Sequence, residues 1–376
     1  MPGSRSSSPT LGPAKTIDEI FPPVTKAHIL NCSYPRWHSN YRSLTPKTRI
    51  IPLTPEFISY IREDGIILPS DEEQITELSD SEDENSVNGN DSDSESAPLS
   101  PPDKRFPELH QQIKDIISEL GGRIIPKLNW SSPKDAVFMS LTNTMECRTP
   151  GEIYLLLKSS DFVTHDLEHA FDDCIDTPLL VGEEEVEMRD IAYSLVLRKW
   201  FKINPSMEFR CFVRGRKLLA VSQRELNYFK FLEDMKEELT GLIEEFFDTK
   251  LKDTFPDDSF VFDVYIPATE EGKKRVWLID INPFAHRTDP ILFSWLEILE
   301  MPYESDDTEV KVRFVKEGDP EAYAFNTPKF SASKMPKEVV EAGLQGEEAV
   351  WEFAQRWRGV MESMEKAREE RQASNS

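Results

Sequence analysis

The sequence predicts a mixed α+β fold made of two subdomains, and three observations indicate it. The chain has 376 residues, of which 38% are hydrophobic and 10% aromatic, enough for one large core or two ordinary ones. Short apolar runs with strand-like alternation recur along it, and several are separated by hairpin-length turns. Helical segments are interspersed among these runs instead of following every strand, which favours mixed and antiparallel sheets over a doubly wound parallel sheet.

The first subdomain is expected to comprise residues 28–70 and 101–190. It begins with a short strand, IIPL, and a helix from Pro55 to Arg62. A second helix follows, because apolar residues recur at helical spacing until Gly121-Gly122 terminates the pattern. These apolar residues are Leu109, Ile113, Ile116, Ile117 and Leu120. The remaining predicted elements are strands at 123–130 and 152–162 and a helix at 162–172.

The second subdomain is expected to span residues 191–335 and to consist mainly of strands joined in hairpins. Strands are predicted at 190–201, 207–214, 217–225, 259–267 and 275–284, with helices around 230–250 and 290–300. The final segment, 336–376, has apolar and aromatic positions followed by a charged end. It is predicted to form a carboxy-terminal helix and a charged tail.

The charge of the chain is strongly negative and unevenly distributed. Its 44 Lys and Arg residues against 69 Asp and Glu residues give a net charge of −25. Residues 71–100 contain 11 acidic residues and no Lys or Arg, with too few apolar side chains to order the segment, so we predict a disordered insertion. Residues 1–27 are predicted to be disordered as well. The insertion is either a solvated linker or a regulatory segment in which Ser79 and Ser81 suit an acid-directed kinase.

Composition also excludes several classes of protein. The negative balance argues against direct binding to nucleic acid or an anionic membrane, and it is compatible with a basic protein partner. No stretch approaches the roughly 20 apolar residues that cross a bilayer, and the amino terminus has no apolar signal-peptide region. The 4 cysteines are widely spaced, which excludes a disulfide scaffold and favours a reducing compartment. We expect a cytoplasmic protein, monomeric when free.

The segment SFVFDVYIPATEEGKKRVWLIDINPF brings three oxygen-bearing side chains together. In a hairpin with its turn at EEGK, Asp263 lies directly opposite Asp280, and Asn282 shares their face. Two carboxylates this close repel each other unless one is protonated or a cation bridges them. Mg²⁺ commonly pairs such carboxylates with nucleotide phosphates, so we predict a magnesium site. The alternative is a surface pair of acids, although the segment is unusually apolar for an exposed strand.

The segment MEFRCFVRGRKLLAVSQRE indicates a second hairpin that carries phosphate-binding groups. Glu208 and Arg210 share one face of its first strand, and Arg224 lies on the return strand. The arginine fork matches phosphate oxygens, and the Glu208 carboxylate can accept from a ribose hydroxyl. The alternative is a cross-strand Glu–Arg pair.

Two further segments complete a candidate nucleotide site without a glycine-rich loop. RIIPKLNW carries Lys127, and a turn of small residues that includes Ser131 follows it. Arg198 and Trp200 lie at the end of an apolar strand, where backbone groups can pair with an adenine edge. Neither GxxxxGK[ST] nor GxGxxG occurs, so side chains would have to hold the phosphates.

The order of these segments resembles the ATP-grasp fold, in which two α+β subdomains clamp ATP and magnesium. Four strings, NCSYPRWHSNYRSLTPKT, PKLNWSSPKDA, LVLRKWFKINPSMEFRCFVR and WLIDINPF, further resemble the cell division cycle protein 123 family, from about residue 28 to residue 295. The resemblance implies a cytoplasmic assembly factor of eukaryotic translation initiation factor 2. Such a factor binds the gamma subunit, promotes joining of the alpha and beta subunits, and supports translation and cell-cycle progression.

The resemblance also implies a role for each candidate residue. Lys127 would bind a phosphate, Asn129, Trp130 and Ser131 would form the covering loop, and Arg198, Lys199 and Trp200 would form the adenine hinge. Glu208 would bind ribose, Arg210 and Arg224 phosphate, and Asp263, Asp280 and Asn282 magnesium. An ATP-grasp ligase is the alternative, but the covering loop SSPKDA is not glycine-rich and Asp280 stands where many ligases have Glu. No catalytic residue is predicted, and a scaffold with a vestigial site remains open.

A docking surface for the gamma subunit is predicted within residues 28–69. The segment combines aromatic and arginine residues, which dominate interaction hot spots. These residues are Tyr34, Arg36, Trp37, Tyr41 and Arg42. In the alternative interpretation Tyr34 and Trp37 belong to the core. Arg36 and Arg42 distinguish a docking surface from a core, because arginine is rarely buried.

Overall fold

A computed structural model describes residues 24–70, 100–172, 174, 180–181, 184–185, 191–267, 274–303 and 309–318. The predicted carboxy-terminal helix and tail lie outside the described residues, as does the acidic insertion apart from Ser100. No helix in the described part of the chain has both the length and the apolar character needed to cross a bilayer.

The described elements alternate between helices and short strands. The helices are α1 (Lys26–Asn31), α2 (Tyr34–Tyr41), α3 (Pro55–Arg62), α4 (Pro102–Arg105), α5 (Pro107–Glu119), α6 (Pro150–Lys158), α7 (Asp161–Glu168), α8 (Lys230–Asp234), α9 (Lys236–Phe246) and α10 (Trp295–Glu300). The strands are β1 (Thr48–Pro52), β2 (Ile124–Lys127), β3 (Leu180–Val181), β4 (Glu184–Glu185), β5 (Ser194–Lys199), β6 (Glu208–Arg214), β7 (Lys217–Gln223), β8 (Phe260–Tyr265), β9 (Trp277–Pro283) and β10 (Lys311–Arg313). The predicted mixed α+β composition is confirmed.

The first sheet has three antiparallel strands in the order β1-β5-β2. Its Ile51, Leu195 and Leu197 side chains enter a core that also includes residues of α3, α5, α6 and α7. Because β5 hydrogen-bonds to both β1 and β2, residues 194–199 belong to this sheet. The predicted subdomain boundary at residue 191 stays a prediction, and the chain leaves the first sheet only after Lys199.

The second sheet has the order β10-β7-β6-β8-β9, in which β10 pairs in parallel and the other strands pair antiparallel. Asp263 on β8 is paired with Asp280 on β9, as predicted, but a β-bulge between Asp263 and Val264 shifts the register by one residue, so that Val264 pairs with Leu278 and not with Ile279. The intervening residues Phe262 and Ile281 enter a core with Leu239 and Ile243 of α9. This alternation holds the two carboxylates on the opposite face of the sheet from that core.

The strand predicted at 152–162 is wrong, because these residues lie in α6 and the start of α7. Thr149 and Glu152 form a reciprocal capping box at the start of α6, and Pro150 occupies the first turn, both of which favour a helix start. The helix is apolar on several sides, with Ile153, Tyr154, Leu156 and Leu157 all buried. A continuous apolar run of this length fits a buried helix as well as a buried strand.

The amino-terminal helices connect the two subdomains. Lys26 and Ala27, predicted to be disordered, lie in α1, whose start is capped by the Thr25 hydroxyl accepting from the His28 amide at 3.1 Å. Three aromatic residues of α2, Tyr34, Trp37 and Tyr41, are buried in the core of the second sheet. The interface role predicted for them is therefore wrong and the core reading is correct, whereas Arg36 and Arg42 are exposed.

Candidate functional site

The charged residues that the sequence singled out meet in a largely buried region between the two sheets, which we call the cleft. Lys127 at the end of β2 has no exposed surface, and its Nζ donates to Asp280 Oδ2 on β9 at 2.8 Å and to the carbonyl oxygen of Trp130. A second link comes from Arg198 on β5, whose Nη1 donates to the carbonyl oxygen of Ile279 at 3.1 Å. The candidate residues of the first sheet thus face those of the second.

Asp263 is the most completely paired carboxylate of this cleft. Arg210 Nε and Nη2 donate to its two oxygens at 2.8 and 2.9 Å, and Arg224 Nη1 donates to Oδ2 at 2.9 Å. The register explains the contact, since Arg210 is paired with Asp263 across β6 and β8. Burial alone would raise the pKa of Asp263, but the charges of Arg210 and Arg224 hold it well below its usual range.

Lys134, at the start of a 3-10 helix that spans Lys134–Met139, also belongs to this cleft. Burial, and to a smaller extent the charge of Arg224, lower the pKa of its ammonium group to about 7, against the opposing charges of Glu208 and Asp263. These electrostatic neighbours place Lys134 beside the phosphate-binding candidates of the second sheet. Sequence reasoning treated SSPKDA as a covering loop and gave its lysine no role, although a lysine after a turn of small residues is the signal that could have found it.

Asp166 of α7 fixes the loop that follows Lys127. Its Oδ2 accepts from the backbone amides of Trp130 and Ser131 at 3.1 and 2.7 Å, and its Oδ1 accepts from the Ser131 hydroxyl at 2.7 Å. Burial raises the pKa of this carboxyl to about 6, against the opposing hydrogen bonds and the charge of Lys127. Nothing in the local sequence marks Asp166, because the contact joins segments 35 residues apart.

We expect Asp166→Asn to stabilise the protein at pH 7 and to remove a pH dependence. One amide oxygen can still accept from both backbone amides, and the amide nitrogen can donate to the Ser131 hydroxyl, while the buried charge is lost. A carboxyl whose pKa is raised by folding contributes stability below its unfolded pKa, and this contribution is lost as pH rises through about 6. The variant should therefore exceed the wild type by roughly 1–3 kcal/mol in unfolding free energy at pH 7.

The measurement is denaturant unfolding of both proteins between pH 4.5 and 7. The excess of the unfolding free energy of Asp166→Asn over that of the wild type should shrink as pH falls through about 6. Asp166→Ala serves as the comparison, because it leaves the Trp130 and Ser131 amides without their acceptor and should lower stability at every pH. If the difference in unfolding free energy between the wild type and Asp166→Asn is constant across this pH range, the raised pKa of Asp166 is contradicted.

Two buried polar atoms in the cleft have no hydrogen-bond partner among the described residues. They are Nε of Arg198 and Nδ2 of Asn282. Buried polar groups are normally paired, so these atoms mark places where a polar ligand fits. Asn282 lies on β9 two residues after Asp280, as the predicted magnesium site requires. A nucleotide–metal complex matches the charges around Arg198 and Asn282.

The predicted metal ligands include only two carboxylates. Among the residues that the structure describes, no three His, Cys, Asp or Glu side chains form a group suited to a metal ion. Asp280 is half-buried and its Oδ1 accepts from the Ile281 amide at 3.1 Å, while both oxygens of Asp263 bind arginine. The oxygen set of Asp263, Asp280 and Asn282 fits Mg²⁺, which is held by one or two carboxylates together with substrate phosphates and water.

Other predicted residues have structural contacts outside the charged cluster. Asn129 clamps its loop to β5, because its Oδ1 accepts from the Ser194 amide at 2.8 Å and its Nδ2 donates to the carbonyl oxygen of Ala192 at 3.2 Å. Lys199 is exposed, and Trp200 stacks beneath the Arg123 guanidinium at 4.3 Å. The described contacts therefore do not join Lys199 and Trp200 to the cluster around Lys127 and Asp263.

Comparisons with known proteins give a consistent result. The D123 family model matches residues 37–343. A "Translation initiation factor eIF2 assembly protein" of Sclerotinia sclerotiorum is 50% identical over 372 residues, covering 91% of this chain and 89% of that protein. "Cell division cycle protein 123" of Aspergillus terreus is 45% identical, covering 91% of each chain. A solved structure of Cdc123 from Schizosaccharomyces pombe is 40% identical with a TM-score of 0.62, covering 78% of this chain and 99% of that one.

Proposed function

This chain belongs to the D123 family, and from that membership and the charges of the cleft we propose that it is an ATP- and magnesium-binding assembly factor for eukaryotic translation initiation factor 2. Relatives that are about half identical over most of their length carry the name eIF2 assembly protein, which supports a role in assembling that factor. We further propose an ATP-grasp-like mode of binding, with the nucleotide held between the two sheets, and a cytoplasmic role in translation initiation and cell-cycle progression.

One observation carries the nucleotide proposal: four basic side chains meet two carboxylates in a single cleft between two sheets. The basic residues are Lys127, Arg198, Arg210 and Arg224, and the carboxylates are Asp263 and Asp280. A metal–triphosphate complex has the complementary pattern, with anionic oxygens for the cations and a divalent ion for the carboxylates. Neither a purely apolar ligand nor a simple anion would use both halves of this arrangement.

The residues of the cleft divide into three roles in this proposal. Lys127, Arg210 and Arg224 bind phosphate oxygens, and Lys134 joins them from the covering loop. Asp263, Asp280 and Asn282 hold magnesium, which neutralises phosphate charge. Asn129, Trp130 and Ser131 position the loop after Lys127, Glu208 accepts from the ribose, and Arg198, Lys199 and Trp200 line the adenine side.

Isothermal titration with ATP tests the proposal most directly. We expect ATP to bind in the presence of magnesium and to bind much more weakly when the metal is chelated. Inorganic phosphate at the same concentration should not compete, because it cannot reach both sheets at once. Absence of ATP binding with magnesium present would contradict the proposal, whatever the protein does with its partner.

The partner in this proposal is the gamma subunit of the initiation factor, docked on α2 and its neighbours. Arg36 in α2 and Arg42 directly after it are exposed, and exposed arginines suit directed polar contacts at an interface. Arg36→Glu together with Arg42→Glu should weaken capture of the gamma subunit at least about tenfold, through lost contacts and charge repulsion. ATP affinity should stay the same, because neither residue lies in the cleft.

Binding of purified gamma subunit by surface plasmon resonance measures this effect. The matched control is Arg148→Glu together with Lys230→Glu, two exposed basic residues outside residues 28–69, which carries the same change in net charge. If both double variants lose affinity equally, the effect is one of net charge and the docking surface lies elsewhere.

A further inference from the structure

Both carboxylates of the cleft are paired with basic side chains of the protein itself. Asp280 accepts from Lys127, and Asp263 accepts from Arg210 and Arg224, at distances of 2.8 to 2.9 Å. Lys127 has no exposed side-chain surface, and Asp263 has 2%. The groups proposed to bind phosphate are therefore the same groups that now neutralise the proposed metal ligands.

We propose that this cleft accepts a divalent cation and a polyphosphate only as one joint ligand, by exchanging its internal ion pairs, and excludes the free cation. The inference rests on the proposed function and specifies the ligand form that the site accepts. Phosphate oxygens take Lys127 and Arg224, and the cation takes the carboxylates that these side chains release. Every charge keeps a partner throughout the exchange.

The electrostatic reason is that each half of the ligand alone leaves one half of the site unpaired. A free divalent cation approaching Asp280 meets the buried ammonium of Lys127 and has to separate it from the carboxylate with which it is paired. A polyphosphate without metal can take Lys127 and Arg224, but Asp280 then loses its cationic partner and Asp263 keeps only Arg210. An uncompensated buried charge is strongly unfavourable, so each half binds weakly and the two bind cooperatively.

The pairing also distinguishes this site from a preformed metal site. In a preformed site the ligands are held ready by hydrogen bonds to neutral or backbone groups. Here the Asp280 oxygen that faces the cleft is occupied by a cation, and both oxygens of Asp263 are occupied as well. Removing one internal cation should therefore create affinity for free metal that the wild type lacks.

Lys127→Met distinguishes ion-pair exchange from general damage to the site, because the two predict opposite changes in Mn²⁺ affinity. Methionine fills a similar volume without the charge, so Asp280 loses its internal partner. We expect Mn²⁺, titrated alone and followed by electron paramagnetic resonance, to bind this variant about tenfold or more tightly than the wild type. The affinity for ATP with metal should fall, because a phosphate-binding group is lost.

Lys47→Met is the matched control, since Lys47 forms a lysine–carboxylate pair with Glu119 at 3.1 Å on the exposed surface. It should change neither the Mn²⁺ nor the ATP affinity. Arg224→Met is a second variant, because it removes one of the two arginines from Asp263 and keeps Arg210; it should also gain Mn²⁺ affinity. Thermal melting of each variant verifies that the protein is folded, and a damaged cleft would lose metal affinity and not gain it.

The proposal is overturned if the wild type binds free Mn²⁺ as tightly as Lys127→Met and Arg224→Met do, or if neither folded variant gains affinity. It is also overturned if ATP binds the wild type equally well with and without divalent metal. Failure of the proposed function has a different signature, because the wild type then binds no ATP under any condition. A gain of Mn²⁺ affinity in the two variants would in that case show only that Lys127 and Arg224 exclude the free cation, and the joint binding would be overturned.

Discussion

Asp263→Ala is expected to lower the free energy of unfolding by about 3–5 kcal/mol, the cost of breaking a buried ion pair by removing one partner. The substitution leaves the guanidinium of Arg210, a residue only 6% exposed, without its carboxylate. Arg224 loses its ion-pair partner at the same time. We therefore expect the largest single-residue loss of stability in the cleft, together with loss of ATP binding.

Denaturant unfolding of Asp263→Ala against the wild type measures this loss. Glu238→Ala is the matched control, because Glu238 pairs with Lys274 at 2.7 Å but is 53% exposed, and exposed pairs contribute about 0–1 kcal/mol. A loss for Asp263→Ala no larger than that of the control would show that Arg210 finds another partner or water. The assignment of Asp263 as the organising charge would then be wrong.

The pH dependence of the same difference has a defined sign. Folding holds the pKa of Asp263 well below its usual range, so its contribution is present above the unfolded pKa of about 4. The contribution is lost as pH falls from there through the folded value. The difference in unfolding free energy between the wild type and Asp263→Ala should be constant from pH 5 to 8 and should narrow only in strongly acidic solution. Asp263 thus loses its stabilising contribution as pH falls, whereas Asp166 loses its contribution as pH rises.

Asp280→Asn is expected to abolish the gain in ATP affinity that magnesium provides. The loss should be about 2 kcal/mol or more, roughly thirtyfold in the dissociation constant, because a charged metal ligand becomes neutral. Stability should fall, because the buried ammonium of Lys127 loses its charged partner, but the protein should stay folded since the amide oxygen can still accept from Lys127 Nζ. Asparagine is preferable to alanine here, because alanine would leave the buried lysine without an acceptor at this position.

Titration of ATP with and without magnesium measures this effect on both proteins. Asp257→Asn is the control, since Asp257 is also half-buried and accepts a hydrogen bond, from Asn31 at 3.1 Å, but lies outside the cleft. Full retention of the magnesium effect in Asp280→Asn would remove Asp280 from the metal site. Equal loss in both variants would indicate a general electrostatic effect and not ligation.

The features that follow from nearby residues were predictable. The pairing of Asp263 with Asp280, counted within one segment of antiparallel strands, is confirmed, although a β-bulge shifts the register by one residue from Val264 onwards. The helix from Pro55 to Arg62 was predicted at its observed bounds, since proline in the first turn and period-3.6 spacing agree there. In both cases the information lies within one short segment.

The features that depend on distant segments were not predictable in the same way. The pairing of Asp263 with Arg210 joins residues 53 positions apart, and the sequence assigned these residues separately to metal and to phosphate. The structure shows that they neutralise each other, which the predicted strand pairing within either hairpin alone cannot reveal. Asp166 and α6 were missed for related reasons, because a single buried acid and a continuous apolar run have no distinctive spacing.

Helix α2 has a consequence for how the molecule unfolds. Its Tyr34 hydroxyl lies 3.0 Å from the Thr48 hydroxyl of the first sheet, and its Tyr41 hydroxyl lies 2.9 Å from the Thr254 hydroxyl beside the second. Between them, Trp37 packs into a core that contains residues from both sheets. Neither sheet can lose its structure without exposing aromatic surface that the other also buries. The two subdomains should therefore melt together, in one calorimetric transition whose van't Hoff and calorimetric enthalpies agree.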